Sequence, residues 1–434
     1  MATTSLPSRP DLERFRRDAR ELQRAVRTGH AGAIHLVAAH HPGGAPTDPA
    51  AFPLSAAQLV TARRYGLSSW PKLVAYLQVS RVWSRDPVTV LDDSLAPADE
   101  FAALACLTYS DLDDPQRWHR AATRLRNDPA LPARSLAAAA VAGDPDALQR
   151  HLIEQPATAE VGPFGWVPLL YVVYSRIPQR DPLGTVQLLL EAGADPDSGY
   201  LWLGLPTPFT GLTGCFGEGE QGPGRQPRHP QGEQLAHLLL EHGAEANDGQ
   251  ALYNRMFGRD DSHLRLLFDY GLGTGDGGVW KHRIGEAIET PTEMMDRQLD
   301  WAVSNGFAER LDLLADHGHR PTTPPDPVLD IHRAGAPERV AEMVAAGADV
   351  DAIRNGRTAL HHHAWIGDAD MVVALLEAGA NPNLVDGTYG TTPLGWAEHG
   401  HQPETAGLLV AVTDSGLDRD GDTVIAEAAP DDRS

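Results

Sequence analysis

The chain has 434 residues, of which 42% are hydrophobic, and its formal net charge is −23. Such a composition excludes a disordered protein and provides core material for two or three ordinary domains or for one elongated array. The longest aliphatic stretches fall far short of the roughly 20 apolar residues that a membrane-spanning helix needs.

Charge is distributed unevenly along the chain. Residues 1–85 carry a net charge of +7, and the remaining residues carry −30. A strongly acidic body argues against nucleic acid as the main partner, because phosphate binding needs a cationic surface. The same charge would speed encounter with a partner protein that has a basic surface.

Residues 1–80 are predicted to form a basic helical module. In "DLERFRRDARELQRAVRTGH", apolar residues recur at three- and four-residue steps while arginines fill the other sides, which predicts an amphipathic helix. The apolar residues are Leu12, Phe15, Ala19, Leu22 and Val26. This helix either packs inside the molecule as a cap or docks to another protein, a membrane surface or nucleic acid.

Residues 81–133 are predicted to form a helical connector, in which Phe101 and Trp118 belong to the core. The only two cysteines of the chain, Cys106 and Cys215, lie in apolar surroundings. We expect them to be buried as small apolar side chains, since two cysteines cannot make a disulfide framework. A reducing cytoplasmic location is therefore expected.

A repeated pattern occupies residues 134–416. Leucine pairs followed by a glycine recur, as in "LLLEAGADPD" and "LLEAGANPN", at intervals of 50, 28, 47, 29 and 32 residues. The glycines are Gly193, Gly243, Gly271, Gly318, Gly347 and Gly379. The short intervals lie near a 33-residue period, and the two long ones contain segments 217–234 and 275–289, which we interpret as insertions in loops.

One unit of this pattern is "NGRTALHHHAWIGDADMVVALLEAGANPN". Thr358 is predicted to cap a first helix, Gly367 to end it, and Gly379 to cap a second helix in the left-handed conformation. A single helical pair cannot cover both of its apolar faces, so neighbouring pairs must stack.

These residues resemble the ankyrin repeat, whose pattern is Gly-x-Thr-Pro-Leu-His, then Ala-Ala, Gly, Val-Leu-Leu and Gly-Ala-Asp/Asn. "GTTPLGWAEHGHQPETAGLL" at 390–409 is a second copy. The resemblance covers 134–416 in about eight units, and it is weakest over 248–330, where the Thr-Pro-Leu-His turn is lost. It implies an all-α ankyrin-repeat solenoid, preceded by a helical amino-terminal cap module.

Three consecutive histidines in the best copy raise the question of a metal site. His361 occupies the usual histidine position of the repeat, where the resemblance implies a hydrogen bond that ties adjacent turns together. The three side chains are about 100° apart on a helix, so His361, His362 and His363 cannot converge on one ion. We expect no metal and no cofactor.

Candidate partner-binding residues follow from the resemblance, which places recognition on the turn tips and first helices. These positions are Arg354, Asn355, Arg357, Trp365 and Ile366, with Tyr174 as the matching position of an earlier copy. Exposed Trp and Arg side chains are typical of interaction hot spots. Packing of Trp365 on the following repeat is the alternative.

The predicted function is a protein–protein interaction scaffold or adaptor that binds its partner on the concave groove. Common catalytic motifs are missing from the sequence, so an enzyme is the less favoured class. The alternative is an enzyme or small-molecule binder whose insertions wall the groove. Its suspected residues are Trp280, His282, His229 and Arg228.

The last predicted segment is an acidic disordered tail at 417–434. "GLDRDGDTVIAE" at 416–427 partly matches a calcium-binding loop. Gly416 stands at its first ligand position and Thr423 at its eighth position, so calcium binding is not expected.

Overall fold

Helices account for most of the structure. The computed structural model describes residues 6–7, 9–92, 95–321, 330–354, 356–387 and 389–413, so the predicted acidic tail and the calcium-like loop lie outside the described residues. The helices of the amino-terminal module are α1 (Leu12–Arg27), α2 (Ala31–His40), α3 (Leu54–Arg64) and α4 (Trp70–Trp83), and those of the connector are α5 (Pro97–Ala105) and α6 (Pro115–Asn127). Over the described residues, no helix combines the length and the apolar character needed to cross a membrane.

The predicted amphipathic helix is α1. Its apolar side packs against α3 inside the molecule, and the Phe15 ring meets the Tyr65 ring edge-on with centroids 5.2 Å apart. Phe15, Ala19 and Val26 are fully buried. The sequence left open whether this helix packs inside the molecule or docks to a partner. In the structure its apolar side packs inside the molecule.

Between Leu136 and Val410, the described residues form eight successive pairs. Their helices are α7 (Leu136–Val141) with α8 (Pro145–Leu152), α9 (Pro168–Tyr174) with α10 (Pro182–Glu191), α11 (Gly211–Phe216) with α13 (Gly232–Glu241), α14 (Gly249–Arg255) with α15 (Ser262–Asp269), α17 (Pro291–Asn305) with α18 (Ala308–Asp316), a 3-10 helix (Ile331–Arg333) with α19 (Pro337–Ala345), α20 (Ala359–Ile366) with α21 (Ala369–Glu377), and α22 (Pro393–His399) with α23 (Pro403–Val410). Two further short helices, α12 (Gly222–Arg225) and α16 (Gly278–Ile284), lie in the long insertions.

Local chemistry sets the ends of these helices. Thr358 begins α20 with a capping box that it shares with His361, and Asp368 caps α21 by accepting from the Met371 amide. The glycine that ends each of six second helices has φ between +88° and +103°. A side chain is strained in that left-handed region, so the predicted glycine caps are confirmed.

Two apolar clusters form the core of the stacked pairs. The first runs from Ala98 to Leu314 and includes Phe101 and Trp118, as predicted, and the second runs from Ile331 to Leu409. Cys106 and Cys215 are buried free thiols in the first cluster, again as predicted. Burial raises the pKa of the Cys106 thiol to about 12 and that of Cys215 further.

A small sheet and one insertion fasten the amino-terminal module to the stacked pairs. Strand β1 (Ser84–Arg85) runs parallel to β2 (Gly199–Trp202), which is antiparallel to β3 (Pro208–Thr210). In the 275–289 insertion, the Trp280 ring lies edge-on to Trp83 at 5.3 Å, and Glu286 accepts hydrogen bonds from Ser68 and Lys72. This insertion packs against α4 and serves as an internal contact.

A buried arginine holds the turn between α14 and α15, in the part of the stack that lacks the Thr-Pro-Leu-His pattern. Arg310 is fully buried, and its Nε donates to Asp261 over 2.6 Å. The two terminal nitrogens of Arg310 donate to the carbonyls of Met256 and Gly258 over 2.7 and 2.6 Å. The buried charge is thus paired and hydrogen-bonded, which burial of an ion requires.

Two glycines join the first apolar cluster to the second. Gly306, at the end of α17, and Gly335, just before α19, both have positive φ, of 66° and 70°. A β-carbon on Gly335 would lie 1.6 Å from the Gly306 carbonyl oxygen, and one on Gly306 would lie 1.9 Å from the Arg333 oxygen. The stacking of the last three pairs on α17 therefore depends on the absence of side chains here.

We predict that Gly335→Ala destabilises the protein strongly. The left-handed backbone costs about 1 to 3 kcal/mol by itself, and the backbone clash adds to it. The matched control is Gly407→Ala, because Gly407 is exposed in α23 with no atom within 4 Å of a built β-carbon. Urea unfolding should show a large loss for Gly335→Ala and a gain of about 0.5 to 1 kcal/mol for the control. Equal shifts would contradict this account of the junction.

Candidate functional site

A continuous groove runs along the first helices of neighbouring pairs. It consists of three adjoining cavities of about 820, 750 and 470 Å³. Tyr253 and Asn254 of α14 line the first and second cavities, and Trp301 of α17 lines the second and third. We call the second one the central cavity. Its far wall is α20, from which Trp365 and Ile366 reach it.

His361 performs the structural task that the sequence predicts. Its Nδ1 lies 2.8 Å from the Thr358 hydroxyl, and its Nε2 lies 3.2 Å from the carbonyl oxygen of Thr391 in the next unit. The imidazole is buried, and burial lowers its pKa. A neutral ring that bridges two turns is thus built into the start of α20, and the predicted tie between adjacent turns is confirmed.

The other two histidines of the run have different surroundings. His363 is buried, with its Nδ1 3.2 Å from Asp368 Oδ2, while His362 lines the central cavity. Burial lowers the pKa of both imidazoles. Within the part of the chain that the structure describes, no group of three or more His, Cys, Asp or Glu side chains is placed to hold a metal ion.

The two arginines of the turn tip have separate roles. Arg354 and Arg357 pair across the tip as an isolated β-bridge. The Arg354 guanidinium donates to the Ser304 carbonyl over 2.8 Å, which ties the tip to the end of α17. Arg357 is half-buried and lies over the Trp396 ring, 5.4 Å from its centroid, at the edge of the groove. Asn355 lies outside the described residues.

Trp365 and Ile366 sit at the end of α20, half-buried in the wall of the central cavity. The Trp365 ring stacks on His399 at 5.5 Å and meets Trp396 edge-on at 5.7 Å. Packing of Trp365 on the following unit is therefore present, and the half-buried residue also lines the central cavity, while its contact with a partner stays a prediction. Trp396 is buried and donates from its indole nitrogen to Asp386 over 3.0 Å, which makes it a core residue.

The prediction that Tyr174 contacts a partner is wrong. The side chain is fully buried, and its hydroxyl donates to the Thr210 carbonyl over 2.9 Å. Three aromatic rings cover it: Tyr109 of the connector, Trp166 just before α9, and Tyr200 of β2. In this early unit the groove position is filled by the protein itself.

The 217–234 insertion forms the near wall of the central cavity. Arg225 of α12 donates to the carbonyls of Asp111 and Asp113 in the connector, over 2.6 and 3.2 Å. On its other side, a β-carbon on Gly224 would lie 2.5 Å from the His401 carbonyl oxygen of the last pair. The insertion therefore bridges the connector and the last pair across the groove.

Of the four residues suspected for a small-molecule site, one lines the central cavity. Arg228 does so, held by Glu218 and Asp260 at 2.5 Å each. Trp280 is buried and donates to the Asp197 carbonyl, His282 is exposed beside Asp276, and His229 is buried against Gln179. These three side chains are structural or peripheral.

Sequence reasoning missed the contribution of the middle units to the groove. Tyr253, Asn254, Arg259 and Trp301 all line the central cavity, yet they lie in the stretch where the repeat motif is weakest. The available signal was composition, because "DWAVSNGF" and "NRMFGRD" combine Trp, Arg and Phe as hot spots do. Register could not be assigned there without the motif.

Comparison with known proteins identifies the repeats that carry the groove's far wall. Residues 299–420, from within α17 to beyond α23, match the family model for ankyrin repeats in three copies. The protein contains ankyrin repeats. The predicted all-α ankyrin solenoid is confirmed, and upstream of residue 299 the same pairing of helices continues back to Leu136.

One solved structure that is similar to this chain is the human ASB11 ankyrin repeat domain. The two share 18% sequence identity with a TM-score of 0.23, over 52% of this chain and 91% of that one. The comparison with curated proteins finds no match.

We predict that Gly224→Ala loosens the insertion. The added β-carbon would push α12 away from the backbone of the last ankyrin repeat, where contacts of 2.5 and 2.8 Å would arise. Hydrogen exchange should then rise at residues 217–228 and 400–402, since the amide of Glu218 and its neighbours lose protection. Exchange in α10 serves as the internal reference. Unchanged exchange in the insertion would contradict the proposed bridge.

A second prediction concerns acid. Burial lowers the pKa of His361, His362 and His363, and it lowers that of His229 to about 3, whereas unfolded histidines titrate near 6.5. Above about pH 6.5 these histidines are neutral in both states and cost no stability. As the pH falls below 6.5, the unfolded chain binds protons that the folded chain does not, so the free energy of unfolding decreases until the pH reaches the pKa values of the folded state. Asp197, with its pKa raised to about 6 by burial, acts in the opposite direction.

The measurement is the free energy of unfolding in urea at pH 7.5, 6.5 and 5.5. It should decrease below pH 6.5, and His229→Asn should reduce the decrease between pH 6.5 and 5.5 by about 1 kcal/mol, the linkage of one proton. A free energy that is flat or rising toward pH 5.5 would contradict neutral burial of these rings.

Proposed function

We propose that the protein is a scaffold or adaptor that binds a partner protein in the groove of its ankyrin solenoid. Ankyrin arrays are interaction modules whose stacked pairs create extended binding surfaces. The observation that carries the proposal is the half-exposed apolar and aromatic lining of the central cavity, made by Trp365 and Ile366 on one side and by Trp301 and Tyr253 on the other.

Within this groove we assign separate tasks to the residues. Trp365 and Ile366 form the apolar anchor, and the neighbouring Trp396 and His399 rings hold the Trp365 ring in place. Arg357 supplies a cation at the rim, since its guanidinium lies over Trp396 and remains near the groove. Aromatic and arginine side chains of this kind dominate binding energies when they are centrally placed.

The expected setting is the cytoplasm, because the two buried free thiols suit a reducing compartment. The charge of the body beyond residue 85 favours encounter with a partner that has basic surface elsewhere. Long-range attraction of this kind mainly sets the rate of encounter. It has less influence on which chemical group enters the groove.

A small-molecule binder is the second candidate function. A volume of about 750 Å³ is within the range of ligand pockets, and the 217–234 insertion walls it from one side. For such a ligand, Arg228 at the insertion would be a direct contact.

The test compares variants of the groove with a matched variant outside it. Affinity capture from the native cytoplasm identifies the partner, and titration of that partner then gives the dissociation constant. Trp365→Ala should weaken binding about 30-fold or more, as loss of a hot spot of about 2 kcal/mol does. Val373→Ala, an exposed apolar residue on α21 of the same repeat, should leave binding unchanged.

The two candidate functions give opposite results for the insertion. Arg228→Ala should leave binding of a protein partner largely intact, whereas it should abolish binding of a small molecule held by the insertion. Equal affinity of wild type and Trp365→Ala for the partner, with both proteins folded, would overturn the groove as the interaction surface.

A further inference from the structure

The central cavity has hydrogen-bonding groups that the protein itself leaves unused. Four buried nitrogen atoms of its lining residues have no hydrogen-bond partner among the described residues. They are Asn254 Nδ2, Arg259 Nη2, Trp301 Nε1 and His362 Nε2. A buried polar atom without a partner costs about 1 to 3 kcal/mol, so each of these four nitrogens would gain from an acceptor that reaches it.

The acidic side chains that line the same cavity are already engaged. Glu218 accepts from Arg228, Glu220 accepts from the Tyr253 hydroxyl, and Asp368 accepts from Arg259 Nε over 3.0 Å. Asp260 accepts from Arg228 over 2.5 Å. Each carboxylate of the described lining therefore has a partner. The groups without one are hydrogen-bond donors.

Arg357 adds an unpaired charge to these donors. Its guanidinium lies over the Trp396 ring and is attracted by the charge of Asp386, but it forms no hydrogen bond or ion pair with a described side chain. Arg354, by contrast, is engaged with the Ser304 carbonyl. Arg357 thus brings a half-buried cation with free donors to the edge of the central cavity.

Arg357 and Arg259 both lie close enough to His362 to act on its charge. The pKa of His362 is lowered well below its ordinary value, first by burial and then by neighbouring charges that include those of Arg357 and Arg259. The ring is therefore neutral, and a neutral imidazole carries a proton on one nitrogen, which lets Nε2 donate in the appropriate tautomer.

We propose, building on the proposed function above, that this donor cluster binds the carboxylate of an Asp or Glu side chain from the partner protein. The donor cluster consists of Asn254, Arg259, Trp301, Arg357 and His362. A carboxylate accepts about four hydrogen bonds and pairs with a guanidinium in a fixed geometry. The adjoining Trp365 and Ile366 then hold an apolar neighbour of the acidic residue.

One negative charge fits this cavity better than two. Arg357 is the one cation of the described lining that forms no ion pair with a described residue, and the cavity is already lined by four carboxylates, those of Glu218, Glu220, Asp260 and Asp368. A phosphate group carries a charge of about −1.5 to −2 at neutral pH, so it would meet more repulsion from these side chains. A carboxylate balances Arg357 alone.

The experiment is selection from a displayed library of random 12-residue peptides on the full chain. We expect the bound peptides to share one Asp or Glu next to apolar residues. For the strongest peptide, replacement of that residue by Asn or Gln should weaken binding about 10- to 100-fold, because it removes a charged acceptor. This change leaves the protein untouched, so it does not depend on the folding of any variant. Replacement by phosphoserine should also weaken binding.

Protein variants locate the carboxylate. In Arg357→Gln the preference for the acidic peptide over its amide form should shrink, because the charge of Arg357 is lost while the other donors remain, and this reduction is the coupling that a double-mutant cycle measures for a direct contact. Arg265→Gln, at an exposed arginine on α15, is the matched control and should keep the full preference. Trp365→Ala should weaken both peptides equally.

The outcomes separate this inference from the function on which it rests. If Trp365→Ala weakens the selected peptides but they share no acidic residue, or if phosphoserine binds more tightly, the carboxylate proposal is overturned and the groove remains. If no peptide is enriched on the folded chain, or if Trp365→Ala leaves binding unchanged, the proposed function itself is contradicted.

Discussion

The structure depends on one constraint, which is that a short helical pair cannot bury its own apolar flank. Each pair from α7 to α23 therefore presents an apolar side to the pair before it and the pair after it, and the two core clusters run along the stack. The groove is the by-product of this stacking, because the first helices line up along one side. Where the stack changes cluster, at Gly306 and Gly335, the backbones approach so closely that side chains are excluded.

Sequence alone predicted the parts that local chemistry decides. The glycine caps, the Thr358 cap and the His361 bridge follow from residue type and spacing, and the structure has all of them. Over 248–330 only the spacing of the leucine pairs and glycines predicts the units, since their turns lack the usual pattern. There the Arg310 guanidinium, bonded to Asp261 and two carbonyls, replaces the missing turn contacts. Such long-range pairs leave no periodic signal, so they could not be predicted.

The candidate site was predicted in part for the same reason. Trp365 and Ile366 were found because the repeat pattern fixed their register, and Tyr174 was assigned by the same pattern although its position is covered. The cover comes from distant segments, including Tyr109 of the connector and Tyr200 of the sheet. The insertion at 217–234 likewise takes its place from contacts with Asp111 and His401. Loops that are positioned by remote contacts are the least readable parts of a sequence.

The insertion also changes what the groove can do. An open ankyrin groove offers a shallow surface, where water competes for every polar contact. Here α12 spans from the connector to the last repeat, so the central cavity has walls on two sides and its polar atoms are shielded. Shielding raises the free-energy cost of each donor without an acceptor, and it also strengthens any hydrogen bond made there. A cavity with two walls, in which the acids are paired and the donors are not, thus favours binding of one kind of chemical group over nonspecific binding.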